Sequence, residues 1–354
     1  MQLVELLTYA VREKASDIHL TIGRPPTVRI YGELTPVPES EVLTSETITA
    51  LIAPLLDEHR RRQIDQEGHA DFSYGVSGLG RFRVNIFRQR STLSGVMRLI
   101  PTEIPSLDVL GLPEALPGLT EKSRGLILVT GPTGSGKSTT LAAMLDRINR
   151  SRSCHIITLE DPIEFLHRHK RSIINQREIG SDAASFAGAL RAALREDPDV
   201  ILVGEMRDLE TIQTALTAAE TGHLVFATLH TNDCAQTIDR VIDVFPPHQQ
   251  QQIRMQLSLV LQAIVSQTLI PRADQPGRVV ACEVMVVTPA IRNLIREAKT
   301  HQILTAIQTG GKLGMQTMDA ALRSLYLKQQ ISVQEALMRC SDQEEFKRYL
   351  GNFT

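Results

Sequence analysis

Four short runs in the second half of the chain consist almost wholly of apolar residues. They are GLILVT, HIITL, DVILV and LVFATL, which begin at positions 125, 155, 199 and 224. Such runs are typical of strands that are buried on both faces of a mostly parallel sheet. Helical stretches lie between them, including 138–149 and 183–195. The pattern predicts an α/β core.

The first 100 residues show a different pattern. Helical stretches at 3–14 and 48–64 accompany the strand-like runs DIHLTIG, PPTVRIYGEL, HADFSYGV, GRFRVNIFRQR and SGVMRLI. In RFRVNIF the apolar Phe82, Val84 and Ile86 alternate with polar residues, so Arg81 and Arg83 are expected to project side by side from one strand face. We therefore predict a small α+β domain.

The chain is expected to divide at a proline-rich stretch. IPTEIPSLDVLGLPEALPGL places four prolines within 20 residues, which opposes a continuous helix and favours a linker. After about residue 245 the strand signal fades, apart from RVVACEVMVV, and helical patterns dominate. The predicted organisation is an N-terminal domain at 1–100, a linker at 101–119, an α/β core at 120–270 and a mainly helical C-terminal subdomain at 271–354.

Composition and charge restrict the class of protein. The 354 residues are 42% hydrophobic and 22% charged, and no run approaches the ~18 apolar residues of a transmembrane helix. We see no signal peptide at the start of the chain and expect a cytoplasmic protein. The four cysteines form no CxxC pair, which argues against a zinc site or a disulfide framework. A net charge of -2 disfavours a protein that mainly binds nucleic acid.

A phosphate-binding motif follows the first apolar run. GPTGSGKST matches G-x-x-x-x-G-K-[ST], with the required strand before it and helix after it. Its glycines allow backbone N–H groups to surround phosphate oxygens at a helix N-terminus. Lys137 is expected to reach the β- and γ-phosphates of ATP, and the Ser138 hydroxyl to bind Mg²⁺. The predicted nucleotide-binding residues are Gly131, Pro132, Thr133, Gly134, Ser135, Gly136, Lys137, Ser138 and Thr139.

Carboxylates follow two of the other predicted strands. Glu160, Asp161 and Glu164 come at or after the end of HIITL, where open α/β sheets bind ligands. The third strand continues into DVILVGEMRD, in which Gly204 and Glu205 replace the aspartate of a usual Walker B segment. Glu205 could bind Mg²⁺ through water or orient the attacking water, and Glu164 is its rival for the second role. The sequence does not rank the two.

Histidines flank the fourth strand in TGHLVFATLHTND. His230 follows the carboxyl end of the strand, on the ligand side of the sheet, whereas His223 lies at the opposite end. The His230 side chain could contact the γ-phosphate of ATP or signal to a neighbouring subunit that nucleotide is bound. A structural role is the alternative for both histidines, and neither has cysteines at metal-ligand spacing.

With these residues the chain resembles the secretion-type traffic ATPases, and among them the type IV pilus retraction motors. The resemblance rests on GPTGSGKST as Walker A, ITLEDPIEF as the aspartate box, LREDPDVILVGEMRDLET as the atypical Walker B and TGHLVFATLHTN as the histidine box. It extends through IDRVIDVFPP and GMQTMD to nearly the whole chain. It implies a RecA-like P-loop NTPase core with a helical C-terminal subdomain, preceded by a PAS-like N-terminal domain.

The same resemblance implies a homohexameric ring that uses ATP and Mg²⁺. Arg81 and Arg83 match family positions proposed to reach a neighbouring subunit's nucleotide. Arg195 and Arg207 are further candidates, with pairing to Glu196 or Asp208 as the alternative.

The segment AIRNLIRE looks like the family motif that is needed for retraction rather than for nucleotide binding. Its residues form an amphipathic helix with an apolar stripe for packing and a polar face for a neighbour or the pilus base. They are Ala290, Ile291, Arg292, Asn293, Leu294, Ile295, Arg296 and Glu297.

The resemblance implies a hexameric Mg²⁺-dependent ATPase that powers pilus retraction, acting through an inner-membrane platform protein and only indirectly on the pilus base and pilin. An accessory retraction paralogue and an assembly or secretion motor are the alternatives within the family. A nucleotide sensor that does not turn over and a nucleic-acid translocase are alternatives of other classes.

Overall fold

The computed structural model describes residues 2–101 and 103–351. Two compact units make up the chain, and each is described by itself. The first unit is Met1–Glu103 with Pro162–Leu166, and the second is Ile104–Asp161 with His167–Thr354. The three boundaries between the four predicted segments stay a prediction, and residues 1, 102 and 352–354 of those segments lie outside the described residues.

The first unit combines helices with one antiparallel sheet. A 3-10 turn, Ala53–Leu55, joins two of its helices. The elements are α1 (Leu3–Arg12), β1 (Asp17–Leu20), β2 (Thr27–Ile30), β3 (Glu33–Pro36), α2 (Ser45–Ile52), α3 (Glu58–Glu67), β4 (His69–Val76), β5 (Gly80–Gln89) and β6 (Thr92–Ile100).

The sheet order in this unit is β3-β2-β1-β6-β5-β4. Phe82, Val84 and Ile86 of β5 are fully buried and contribute to the unit's core, as their alternation predicts. Arg83 is exposed on the other face, where it lies opposite Arg98 of β6. The prediction of a small α+β domain is confirmed.

The second unit contains a seven-stranded sheet. Three 3-10 turns, Leu107–Val109, Thr300–Gln302 and Gly311–Leu313, lie among its helices. The elements are α4 (Ala115–Leu119), β7 (Gly125–Thr130), α5 (Lys137–Ser151), β8 (His155–Glu160), β9 (Ile173–Glu178), α6 (Phe186–Ala193), β10 (Val200–Val203), α7 (Leu209–Glu220), β11 (Leu224–Leu229), α8 (Cys234–Asp243), α9 (Pro247–Val260), β12 (Leu261–Pro271), β13 (Arg278–Val286), α10 (Pro289–Arg296), α11 (Ile303–Thr309), α12 (Met318–Leu327), α13 (Val333–Arg339) and α14 (Gln343–Gly351).

The strand order is β13-β12-β7-β11-β10-β8-β9, and every neighbouring pair is parallel except β12 with β13. Helices cover both faces, which explains the continuous apolar runs. In β7, Leu126 and Leu128 belong to one buried cluster, whereas Ile127 and Val129 belong to the cluster on the other face. The predicted α/β class with a mostly parallel sheet and C-terminal helices is confirmed.

The expectation that RVVACEVMVV is the only strand after residue 245 is wrong. β12 spans 11 residues directly after α9 and pairs with β7 on one side and β13 on the other. Its sequence, LQAIVSQTLIP, contains polar residues that weaken a strand pattern. Ser266 and Gln267 are nevertheless buried, each being 1% exposed. Their polar side chains can be buried because they hydrogen-bond to loops at the end of the sheet.

The loop between β8 and β9 contains a histidine, His167, that is half-buried. His167 has no hydrogen-bond partner at Nδ1 among the described residues. Burial lowers the pKa of His167 from its ordinary 6.5 to about 4; the nearby Asp146 opposes this effect, and Lys170 adds to it. Between these two values the unfolded chain therefore binds a proton that the folded chain excludes.

This difference predicts that the free energy of unfolding falls as pH decreases from 6.5 towards 4, with His167 contributing up to about 3 kcal/mol of the fall. His167→Gln should flatten that part of the curve, measured by urea unfolding at several pH values. Arg168→Gln, at the exposed neighbouring position, should keep the wild-type slope. An unchanged slope in His167→Gln would contradict the assignment.

Candidate functional site

The ends of four parallel strands meet at one edge of the second unit's sheet. β7, β11, β10 and β8 are consecutive neighbours in the sheet, and their registers pair Thr130 with Leu229 and Val203 with both Ala227 and Leu159. The segments that follow these strands carry the predicted phosphate loop, the carboxylates and His230. The topology therefore brings most of the predicted site together.

The phosphate loop depends on glycines in the left-handed region of backbone conformation. Gly131, Gly134 and Gly136 have φ values of +138°, +78° and +88°. A Cβ atom at Gly131 would lie 2.2 Å from the Gln267 carbonyl oxygen, so the loop and β12 approach too closely for any other residue.

Gln267 also holds the loop through its side chain. Its Nε2 donates to the Ser135 carbonyl oxygen at 2.7 Å in a buried position. The Ser135 hydroxyl, inside the loop, is buried and has no hydrogen-bond partner among the described residues. Lys137 Nζ turns back to donate to the carbonyl oxygens of Gly131 at 2.8 Å and Pro132 at 3.1 Å. The ammonium group is thus already placed at the mouth of the loop.

Glu205 forms the centre of a charged group beside this loop. Its carboxylate accepts from Arg207 Nε at 2.5 Å and from His230 Nε2 at 3.1 Å. Burial favours a raised pKa for this carboxyl, but Arg207 and His230 outweigh it and hold the pKa of Glu205 below its ordinary value. Arg207 pairs with Glu205, whereas Asp208 caps α7 by accepting from Thr211 N at 2.8 Å.

Close packing around position 204 explains why a glycine precedes Glu205. Gly204 N donates to the Leu159 carbonyl oxygen at 2.7 Å, and the Thr228 hydroxyl donates to the Gly204 carbonyl oxygen at 2.5 Å. A Cβ at Gly204 would lie 2.9 Å from the Leu159 oxygen and 3.2 Å from Glu160 Cα. The departure from the usual Walker B pattern therefore allows three strand ends to approach each other.

The carboxylates of the aspartate box occupy different places. Glu160, the last residue of β8, accepts from the Thr158 hydroxyl at 2.6 Å and from Gln176 Nε2 at 3.2 Å. Asp161 is exposed and, after Glu205, helps to raise the pKa of Arg207 above its ordinary value. Glu164 belongs to the segment Pro162–Leu166, which is part of the first unit.

Two further predicted residues lie away from this edge. His223 precedes β11 at its amino end, and its Nδ1 lies 2.9 Å from the Ala218 carbonyl oxygen, at the end of α7. Arg195 is exposed just after α6, and Glu196 pairs with Arg177 at 3.0 Å. These contacts do not place His223 or Arg195 beside the phosphate loop, and the functional roles of these two residues stay predictions.

The first unit carries the two predicted trans-acting arginines. Arg81 and Arg83 lie on the same face of β5, and Arg83 is exposed whereas Arg81 is half-buried. Arg81 Nε is buried. The side-by-side arrangement is as predicted.

The AIRNLIRE residues form α10 and its C-terminal cap. Thr288 caps the helix by accepting from Ile291 N at 3.3 Å, and Ile291 and Ile295 are fully buried in the core. On the polar face, Asn293 Nδ2 donates to Glu297 at 2.7 Å and Arg296 donates to Asn293 at 3.2 Å. The predicted apolar stripe and polar face are confirmed, and Asn293, Arg296 and Glu297 on the polar face are hydrogen-bonded to each other.

Sequence reasoning missed Gln267 and Ser266, although both contact loops of the site. Ser266 Oγ donates to the Asn232 carbonyl oxygen at 2.7 Å, close to His230. Two polar residues in the middle of the β-branched run of β12 were the available signal. A pair of buried polar residues in such a run often marks a strand that supports neighbouring loops.

The fold and the phosphate loop define a P-loop nucleotide-binding protein. Residues 2–338 match the family of type II/IV secretion system proteins, and the chain belongs to that family.

Two relatives are similar over most of the chain. The type IV pilus retractation ATPase PilT of Pseudomonas aeruginosa is 50% identical over 346 residues, covering 98% of this chain and 100% of that protein. A twitching motility protein of Neisseria gonorrhoeae is 48% identical over 319 residues, covering 90% of this chain and 85% of that protein.

The fold likeness to a solved structure is equally extensive. The crystal structure of the pilus retraction motor PilT with bound ADP superposes with a TM-score of 0.91 at 50% identity, over 98% of this chain and 99% of that chain.

The packing around Gly204 yields a test. Gly204→Ala should push β10 away from Leu159 and Glu160, lower the unfolding free energy by about 1–3 kcal/mol and lower kcat for ATP about 10-fold to 100-fold. Urea unfolding and steady-state phosphate release measure the two effects. Gly118→Ala is the matched control because a Cβ there meets nothing within 4 Å, and a helical alanine is favoured. Wild-type kcat in Gly204→Ala would contradict this role.

Proposed function

We propose that this chain is an ATPase that powers the retraction of type IV pili and thereby twitching motility. The observation that carries the proposal is the match to PilT over nearly the full length of both chains, in sequence and in fold. The intact phosphate loop and the Glu205–His230 pair supply the local chemistry for this activity.

The loop from Gly131 to Thr139 would bind the phosphates of ATP. Three glycines in left-handed conformations and the N-terminus of α5 provide the backbone N–H groups, and Lys137 provides a positive charge. Lys137 is held by two carbonyl oxygens of its own loop, and it can exchange these for phosphate oxygens without moving to another part of the site.

The residues present also suit Mg²⁺. Mg²⁺ prefers oxygen ligands and is usually held by few protein groups together with substrate phosphates, and the Ser138 hydroxyl and the Glu205 carboxylate offer such ligands. Ser138 would bind it directly and Glu205 through water. When bound, Mg²⁺ neutralises charge on the phosphate oxygens.

Glu205 is our candidate for orienting the attacking water. Its low pKa keeps it ionised, and His230 and Arg207 fix its carboxylate beside the phosphate loop. Glu164 remains the alternative. Because it belongs to the segment assigned to the first unit, its contribution would depend on how the two units are arranged when ATP is bound.

A homohexamer would complete the site. We propose that Arg81 and Arg83 act on the nucleotide of a neighbouring subunit, where their charge would stabilise phosphoryl transfer. Arg195 is a further candidate for such a cation, and His223 is a candidate for carrying the nucleotide state between subunits. We propose a cytoplasmic ring at the inner membrane, with an integral platform protein as partner and the pilus base and pilin as indirect partners. No described helix is both long and apolar enough to cross a membrane.

The polar face of α10 is the proposed coupling surface. Its apolar side is fixed in the core by Ile291 and Ile295, so Arg292 and Arg296 are presented from a rigid support. An assembly or secretion motor, or an accessory retraction paralogue, would share the ATPase site but not this use of α10. A nucleotide sensor would bind ATP without turnover, and a nucleic-acid translocase would be stimulated by DNA.

The test combines phosphate release by the purified protein with pilus retraction in cells. Lys137→Ala should reduce kcat at least about 1000-fold and abolish retraction, because the phosphates lose their cation. Arg292→Ala with Arg296→Ala should keep hydrolysis within about threefold of wild type and abolish retraction, because hydrolysis is uncoupled from movement.

Arg61→Ala with Arg62→Ala is the matched control, since both arginines are exposed on α3 and lie outside the site. This variant should retract pili normally. Normal retraction in the α10 variant would remove the coupling role, and equal loss of both activities in a folded α10 variant would argue against a separate coupling surface.

A further inference from the structure

A buried carboxylate on β13 binds the N-termini of two helices. Glu283 is 5% exposed. Its Oε1 accepts from the N–H of Cys234, the first residue of α8, at 2.8 Å. It also accepts from the backbone of Met318, the first residue of α12. A single side chain therefore accepts one unpaired N–H group from each helix and lies at the positive ends of both helices.

The strand pair around Glu283 holds the same two segments at further points. Ser266 lies opposite Glu283 in the β12–β13 ladder and donates to the Asn232 carbonyl oxygen. On the other side, Gln316 pairs with Val284 through two backbone hydrogen bonds of 2.8 and 3.1 Å. The strand pair thus holds residues 232–234 and 316–318 together.

The first of these segments begins two residues after His230. The Thr231 hydroxyl lies 2.7 Å from that of Thr237, Asn232 is held by Ser266, and Cys234 by Glu283. His230 is therefore at the end of a chain segment that is fixed at three successive points. Its Nε2 is 3.1 Å from Glu205, so a small shift of this segment would break the pair.

A carboxylate is a costly choice for this position. Burial raises the pKa of Glu283 above its ordinary value, although the bonds from Cys234 and Met318 oppose the rise. Its hydrogen-bond partners are on other elements, α8 and α12, so its contribution to stability comes from the link between them.

We propose that Glu283 is a positioning residue for the ATPase reaction: it anchors the segment that carries His230 against Glu205 and ties that segment to the C-terminal helices. The inference rests on the proposed ATPase function. Glu283 itself acts through His230.

The kinetic test compares Glu283→Ala, His230→Ala and the double variant by steady-state phosphate release with ATP and MgCl₂. Glu283→Ala should lower kcat about tenfold and leave KM for ATP within about twofold, because Gln267 still holds the phosphate loop. In the His230→Ala background, adding Glu283→Ala should lower kcat by less than about twofold. Glu283→Gln, which keeps one carbonyl oxygen, should recover part of the lost kcat.

A second measurement does not depend on activity. Backbone hydrogen exchange of residues 231–235 and 316–319 should accelerate in Glu283→Ala, because both segments lose their shared anchor. Asp146→Asn is the matched control: Asp146 is also 5% exposed and bonds to Lys170 and Arg150, remote from β13 in sequence. It should destabilise the protein without changing exchange in these two segments selectively.

The outcomes are distinct. Fold-losses in kcat that multiply in the double variant, or a His230→Ala variant with wild-type kcat, would overturn the role of Glu283 through His230. A wild-type protein that releases no phosphate would overturn the proposed function. In that case the hydrogen-exchange data would still test the anchoring role of Glu283. Unchanged exchange at residues 231–235 in Glu283→Ala would overturn that role, and faster exchange would support it.

Discussion

The close approach of β12 to the phosphate loop sets the geometry of the whole site. The Gln267 carbonyl oxygen occupies the space where a side chain of residue 131 would begin, and the Gln267 amide holds the Ser135 carbonyl. Because β12 also pairs with β7 and β13, the loop is fixed by an internal strand of the sheet and not only by its own turns. The loop keeps its shape as long as this strand keeps its register.

Buried polar side chains on β12 and β13 bond to neighbouring segments, in addition to the packing of both strands in the core. Ser266, Gln267 and Glu283 each bond to backbone atoms of a segment outside the two strands. Polar groups in such positions are costly unless they are paired, so each one specifies where its partner segment must lie. The pair of strands thereby connects the phosphate loop, the histidine segment and the C-terminal helices in one hydrogen-bonded framework.

Local patterns predicted what depends on neighbours in sequence. The phosphate loop, the alternation in β5 and the amphipathic α10 are confirmed because a short motif or a period determines them. β12 was missed because its central residues are polar for reasons that lie in distant loops. The pairing of Arg207 with Glu205 rather than Asp208, and the place of Glu164 with the first unit, depend on tertiary contacts that no local pattern contains.

The resting bonds of Lys137 have a consequence for nucleotide exchange. When a phosphate leaves the loop, the ammonium group returns to the carbonyl oxygens of Gly131 and Pro132 and does not remain as a bare charge in a confined space. The empty loop is thereby stabilised relative to one in which the lysine has no partner. For an enzyme that works through repeated cycles, this reduces the free-energy difference between the loaded and the unloaded loop and so opposes tight retention of the product.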